Sequence, residues 1–157
     1  EPTGEVKGVP GSKLPAFRLL RKSRMTGETI TVIPEMCSFP AIYQDQILYF
    51  RFQDTVPFIG YMKDEISGEQ IAVTDKNGGK LYICDLDGKG ERLLCDISDS
   101  GCTFTGAVGV SGKSETGDYI GIELYTYDRD GEYVRRGKNA LLLINIKTGE
   151  NKIVRTD

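Results

Sequence analysis

The chain contains no histidine, and that absence removes more chemistry than any residue present suggests. A Cys/His zinc site, a Cys-His nucleophile pair and a Ser-His-Asp triad all need an imidazole. The four cysteines, Cys37, Cys84, Cys95 and Cys102, offer no C-x-x-C knuckle, so neither a metal nor any other cofactor is expected. Long hydrophobic runs are missing too. No stretch approaches the roughly 20 apolar residues of a membrane-spanning helix, and no charged-then-apolar signal segment opens the chain. Charge of one sign is not in excess: 20 basic against 23 acidic residues leave a net −3, with no overall pull toward nucleic acid. The one basic cluster, Arg18, Arg21, Lys22 and Arg24, lies along a candidate strand, where it suits a solvated edge that resists edge-to-edge pairing. Helix is scarce as well. Its best candidate, around Thr55 to Ser67, carries Pro57, Gly60 and poor helix formers, so at most a turn or two would survive.

What is present points to strands. Nineteen glycines, eight tyrosines and six phenylalanines, with short Ile/Val/Thr runs between Gly/Asp/Asn clusters, predict an all-β fold of repeated antiparallel sheets. At 157 residues the chain makes a single domain. A turn recurs in it: Met25-Thr26-Gly27-Glu28, Lys89-Gly90-Glu91 and Lys147-Thr148-Gly149-Glu150 each separate two apolar runs, with glycines 63 and 59 residues apart. A second match, Cys37-Ser38-Phe39-Pro40-Ala41 with Cys102-Thr103-Phe104-Thr105-Gly106-Ala107, is offset by 65 residues and sets the phase of a tandem array.

The expected organisation is a flexible leader over 1–15 and a β-domain over 16–157, made of about two and a half units spanning 16–36, 37–101 and 102–157. The leader expectation rests on three prolines and three glycines in a polar setting. Glu1 is not an initiator methionine, which implies a processed or trimmed chain, and such a leader often follows an export signal or anchor. An extracytoplasmic location is expected on that ground. Strands are predicted near 41–43, 47–53, 70–74, 80–86, 91–97, 104–110, 118–128, 139–147 and 151–155, after a first hairpin of 16–20 with 29–33. Two arrangements fit 55–74. Either Phe58 to Met62 and Gln70 to Thr74 form an inserted hairpin, or Gln70 to Thr74 pairs with Lys80 to Leu86 through the Asn77-Gly78 turn.

The run from Gly68 to Gly88, with Gln70-Ile71-Ala72-Val73, then Asp75-Lys76-Asn77-Gly78-Gly79, then Leu81-Tyr82-Ile83-Cys84-Asp85-Leu86-Asp87-Gly88, resembles a blade of the TolB-type, WD-repeat-like β-propellers. The likeness is close over about 20 residues and looser over the last two units. The family's usual Ser-Pro-Asp-Gly entry is replaced here by Lys63 to Gly68 and by Gly112 to Gly117. The resemblance implies a partial or oligomer-completed β-propeller, since a ring takes about four to eight four-stranded blades. A β-sandwich or barrel is the alternative, and a homo-oligomer is one way for open blades to be covered.

Period-two alternation places Leu48, Phe50 and Phe52 on one strand face, as it does Ile122, Leu124 and Thr126. The opposite faces then carry Tyr49, Arg51 and Gln53, and Glu123, Tyr125 and Tyr127. Tyrosine beside Arg or Glu can stack on a sugar or accept a peptide, so Tyr49, Arg51, Glu123, Tyr125 and Tyr127 are the candidate ligand-binding residues; hydrogen-bonded packing between covered sheet faces is the commoner reason for such residues. Asp85-Leu86-Asp87-Gly88 and Asp128-Arg129-Asp130-Gly131 echo calcium-loop spacing but lack the closing glutamate, and turn chemistry explains them. Asp64, Glu65 and Glu69 sit in a polar loop with nothing to bury them as an acid/base pair. Cys84 and Cys95 flank the Asp87-Glu91 turn. In a hairpin with its loop at 88–91 they would face each other, either as a cross-strand disulfide in an oxidising compartment or as buried free thiols.

These features lead to three functional expectations. The first is a noncatalytic binding or scaffold module at the cell envelope with a protein or glycan ligand. The second is an access-shaping propeller segment of a carbohydrate-active enzyme or peptidase. The third is a lectin-like oligomer.

Overall fold

The computed structural model describes residues 16–52 and 57–155. The expected leader, and Gln53 and Asp54 at the end of the second-unit strand, lie outside the described residues. Among the described residues every regular element is a strand, in the order β1 (Phe17–Lys22), β2 (Thr29–Met36), β3 (Ala41–Tyr43), β4 (Gln46–Tyr49), β5 (Phe58–Lys63), β6 (Gln70–Thr74), β7 (Lys80–Asp85), β8 (Arg92–Asp96), β9 (Cys102–Phe104), β10 (Val110–Lys113), β11 (Tyr119–Asp130), β12 (Tyr133–Asn145) and β13 (Asn151–Arg155). The sheets are a β1-β2 hairpin, a four-stranded sheet β3-β4-β7-β8, and a seven-stranded sheet β10-β11-β12-β5-β6 in which β9 also pairs with β11 and β13 with β12. None of them closes into a barrel.

The four-stranded sheet lies between the other two, and its sequence shows why. Ile47, Leu48, Tyr49 and Phe50 are all buried, as are Leu81, Ile83 and Cys84. A sheet covered on one face reads as alternating apolar and polar residues; one covered on both reads as a continuous apolar run. Ile47, Tyr49 and Cys84 point into a cluster with Val32, Ile33 and Met36 of β2. Leu48, Phe50, Leu81 and Ile83 point the other way, into the main core with Phe104, Ile120, Ile122, Leu124, Leu142 and Ile144 of the large sheet. The Phe50 and Phe104 rings meet at 4.7 Å across that core. The long strand β11 alternates as predicted, with Ile122 and Leu124 inward and Glu123 outward.

Of the two arrangements for 55–74, the structure takes the inserted hairpin. β5 pairs with β6, and β7 pairs with β4 rather than with β6. The best helical candidate therefore holds strand β5, in keeping with its poor helix formers. The outer ends of β11 and β12 project beyond the core and receive this hairpin along their edge, with Tyr133 opposite Tyr61 and the Tyr61 N–H donating to the Glu132 carbonyl at 2.9 Å. Gly60 makes the contact possible, since a Cβ there would lie 2.7 Å from Val134 Cγ1. The predicted strand 104–110 is instead two short ones, β9 and β10, with Gly106 at φ +107° in the connection between them.

Three hairpin tips share one construction. The carbonyls of Ser23, Asp64 and Asn145 accept the N–H of Gly27, Gly68 and Gly149. Thr26, Ser67 and Thr148 hydroxyls accept the N–H of Glu28, Glu69 and Glu150. Asp64 also accepts the N–H groups of Ile66 and Ser67 at 2.9 and 2.7 Å, and these bonds hold its carboxyl below the ordinary range. The residue is thus a turn cap. The Gly90 turn is built differently, with Gly88 at φ +83° and its Cα against the Val32 carbonyl, where a Cβ would lie 2.3 Å from the oxygen.

This turn also corrects the expectation that Cys84 and Cys95 face each other. A register shift after Leu81 pairs Leu81 with Cys95. Cys95 then points into the main core and Cys84 into the β2 cluster, on opposite faces of one sheet. All four cysteines are free and buried. Burial pushes the Cys37 and Cys95 thiols up to about 12 and Cys84 to about 11. Thiolate is the reactive form, so a disulfide-forming aromatic reagent at mildly alkaline pH should label the native protein only slowly and all four thiols at once in denaturant; rapid native labelling would contradict the packing. Gly88→Ala should cost about 2 kcal/mol or more in urea unfolding, through both the positive φ and the clash with β2.

Candidate functional site

A cleft of about 350 Å³ opens where several connections converge. Its walls come from the β2–β3 link (Cys37, Ser38, Phe39), the β6–β7 turn (Asp75, Lys76, Asn77) and the β9–β10 link (Thr105 to Ala107). Tyr125 and Tyr127 of β11, Thr103 of β9 and Phe17 of β1 complete it. A second, smaller recess of about 250 Å³ shares Asp75, Thr103 and Tyr127 with the first.

Asp75 organises the floor. Its carboxylate accepts the Asn77 N–H at 3.2 Å, and the N–H groups of Gly78 and Gly79 and the Thr103 hydroxyl also bond to it. Burial nevertheless outweighs these bonds and raises its pKa above the ordinary aspartate value. Asn77, 3% exposed, accepts the Cys37 Sγ–H at 3.3 Å, which fastens the turn to the β2–β3 link. The Asp75-to-Gly79 turn thus forms the floor of a cleft rather than the tip of a β6-β7 hairpin.

The tyrosines stand on β11 beside a bulge. Pairing with β12 slips between Tyr125 and Tyr127, from Asn139 to Arg136. The extra residue is accommodated at Gly137, where a Cβ would lie 2.5 Å from Thr126 Oγ1. Arg136 then reaches over the Tyr125 ring, with its guanidinium carbon 4.8 Å from the centroid. Tyr125 and Tyr127 pack edge-to-face at 5.1 Å and share a hydroxyl–hydroxyl hydrogen bond of 2.9 Å. Burial and this bond raise the Tyr127 pKa, with the nearby Asp75 charge contributing in the same direction.

The five sequence-predicted residues separate into three places. Tyr125 and Tyr127 line the cleft. Tyr49, 1% exposed, lies in the β2 cluster and donates to Glu91; burial, then this bond, raises its pKa. Arg51 pairs with the other Glu91 oxygen at 3.1 Å and sits 5.5 Å above the Tyr82 ring. That group closes on itself. Glu123 is exposed on the outer face of β11, opposite Leu141. Sequence reasoning missed Ser38, Phe39 and Asp75. Cys37-Ser38-Phe39 is visible in the sequence as a repeat match, and nothing in it signals that this loop meets the Asn77 turn. Phe39 is 68% exposed and packs one ring face on Phe17 at 5.5 Å.

Among the described residues no cluster of three or more His, Cys, Asp or Glu side chains could hold a metal ion, and no helix is long and apolar enough to cross a membrane. No family model, curated protein or solved structure matches the chain. The geometry of the cleft therefore carries the functional argument.

A raised Asp75 pKa means that the native state holds its proton more tightly than the unfolded chain does. Its contribution to stability is full below the unfolded value and is lost as pH rises through the folded one. The melting temperature of Asp75→Asn, relative to the parent, should therefore climb as pH rises from below the ordinary aspartate value through the raised native one. A flat or falling difference would show that the carboxyl is not destabilised as an anion.

Proposed function

We propose that this chain is a noncatalytic binding module whose ligand occupies the cleft walled by Phe39, Tyr125 and Tyr127. The observation that carries the reading is the lining itself: aromatic rings around a concave opening, with a few fixed polar groups at its base. That combination gives a ligand apolar contact area and a defined orientation. The polar groups are set to hold rather than to react. The Asp75 carboxylate is engaged by backbone N–H groups, and the Cys37 thiol remains protonated at neutral pH with its pKa near about 12.

The module reads best as part of a propeller-like stack at the cell envelope, as an open or oligomer-completed array. The four-stranded sheet, with β3, β4, β7 and β8 side by side in chain order, supports this. So does the resemblance of Gly68 to Gly88 to a propeller blade, although β5 and β6 interrupt it by pairing with the other sheet.

The test combines binding and turnover on the purified chain. A mixed panel of methyl glycosides, dipeptides, choline and inorganic phosphate should yield saturable binding to at least one member. Thr105→Trp, which places a large ring on an exposed rim position of the cleft, should abolish that binding with little change in melting temperature. Binding indifferent to Thr105→Trp would remove the cleft from the reading, and hydrolysis of chromogenic glycoside, ester or peptide substrates would overturn the noncatalytic assignment.

A further inference from the structure

Resting on that reading of the cleft, we infer that its ligand is a neutral saccharide, one of whose pyranose faces lies on the Phe39 ring. Three observations select this class. The first is the platform. Phe39 is 68% exposed although its ring packs on Phe17, which leaves ring surface free at the cleft. A free aromatic face, pre-positioned by a neighbour, suits the C–H face of a sugar ring, because the contact area is gained without ordering the side chain anew.

The second is charge. The cleft wall carries one carboxylate and one ammonium, Asp75 and Lys76, adjacent in sequence and opposite in sign. A quaternary ammonium would gain from the aromatic faces and Asp75 but meet Lys76, and Arg136 already occupies a face of Tyr125. A phosphate would gain from Lys76 but meet Asp75. A neutral ligand with many hydroxyls pays neither cost and uses both groups.

The third is unspent hydrogen-bonding capacity. In the Tyr125–Tyr127 pair one hydroxyl donates and the other accepts, so the acceptor's own proton is left over. The Ser38 hydroxyl, in the wall beside Phe39, is buried without a partner among the described residues. Leaving a buried hydroxyl unpaired is costly, and a ligand that carries donors and acceptors on adjacent carbons would supply it a partner. At about 350 Å³ the cleft lies near the lower end of ligand-site volumes, enough for a short glycan terminus.

Saturation-transfer NMR on the intact chain tests this with methyl α- and β-pyranosides of glucose, galactose, mannose and N-acetylglucosamine, and with cellobiose and maltose. Transfer is expected to concentrate on the C–H protons of one ring face of at least one sugar. Phe39→Ala should weaken that sugar about tenfold or more, Phe39→Tyr should retain it, and Tyr127→Phe should weaken it several-fold, each with a native-like melting temperature. A sugar signal that survives Phe39→Ala would overturn the platform. Choline, phosphate or dipeptide binding that is lost in Thr105→Trp, with no sugar registering, would sink the saccharide assignment while leaving the cleft as the binding site. Silence across the whole panel would count against both.

Discussion

Everything else in this fold depends on the burial of the four-stranded sheet on both faces. Its strands β4 and β7 send alternate residues into two different clusters, Leu48, Phe50, Leu81 and Ile83 one way and Ile47, Tyr49 and Cys84 the other. Apolar burial yields roughly 1.5–3 kcal/mol for each large side chain removed from water, and here one strand pair supplies that to two interfaces at once. A slip of one residue in its register would exchange the two sets of side chains. The Phe50–Phe104 contact on one side and the Gly88–Val32 approach on the other show how closely the neighbouring layers are fitted to it.

That central position also explains where the cleft arises. Because β4 and β7 are neighbours in the middle sheet, the chain between them must leave the sheet and return. It does so as the β5-β6 hairpin, which adds to the projecting ends of β11 and β12. The return passes through the Asp75 turn, whose carboxylate is tied down by its own backbone and by Thr103 of the large sheet. The turn is therefore a crossing between two sheets as well as a strut that ties them together. The cleft is the space left where this strut, the β2–β3 link and the β9–β10 link meet the tyrosines of β11. A partly buried carboxylate at such a junction costs stability at neutral pH. Its hydrogen bonds to backbone N–H groups and to Thr103 offset part of that cost.

The polar groups of the fold divide into those spent on architecture and those left available. Tyr49, Arg51 and Glu91 satisfy one another, and Arg92 is committed to the carbonyls of Ile146 and Lys147. Asp64 and Asn145 cap turns. Against that background the Ser38 hydroxyl, unpaired among the described residues, and the spare tyrosine proton stand out, and both belong to residues that line one cleft.

Local signals were enough to establish the all-β character, the inward faces of β4 and β11, and most strand positions, because alternation and turn chemistry are properties of neighbouring residues. Ile122 and Leu124 could be placed on one face from spacing alone, and the Gly27 and Gly149 tips from their composition. The partner of Gln70–Thr74 could not. Asn77-Gly78 marks a reversal of the chain but does not say which strand lies alongside, and the choice fell to the edge that β11 and β12 expose. The same holds for Cys84 and Cys95, where one register shift put on opposite faces what symmetry about a turn had placed together. It holds for the candidate site as well: Tyr125 and Tyr127 were legible as an uncommitted strand face, whereas Tyr49 on an identically patterned face was buried by a third layer. Sequence by itself determined the all-β character and most strand positions, since these follow from the two-residue period of the backbone and from turn chemistry. Only the tertiary structure decided which faces were covered and which loops met, since those depend on contacts between residues far apart in the chain.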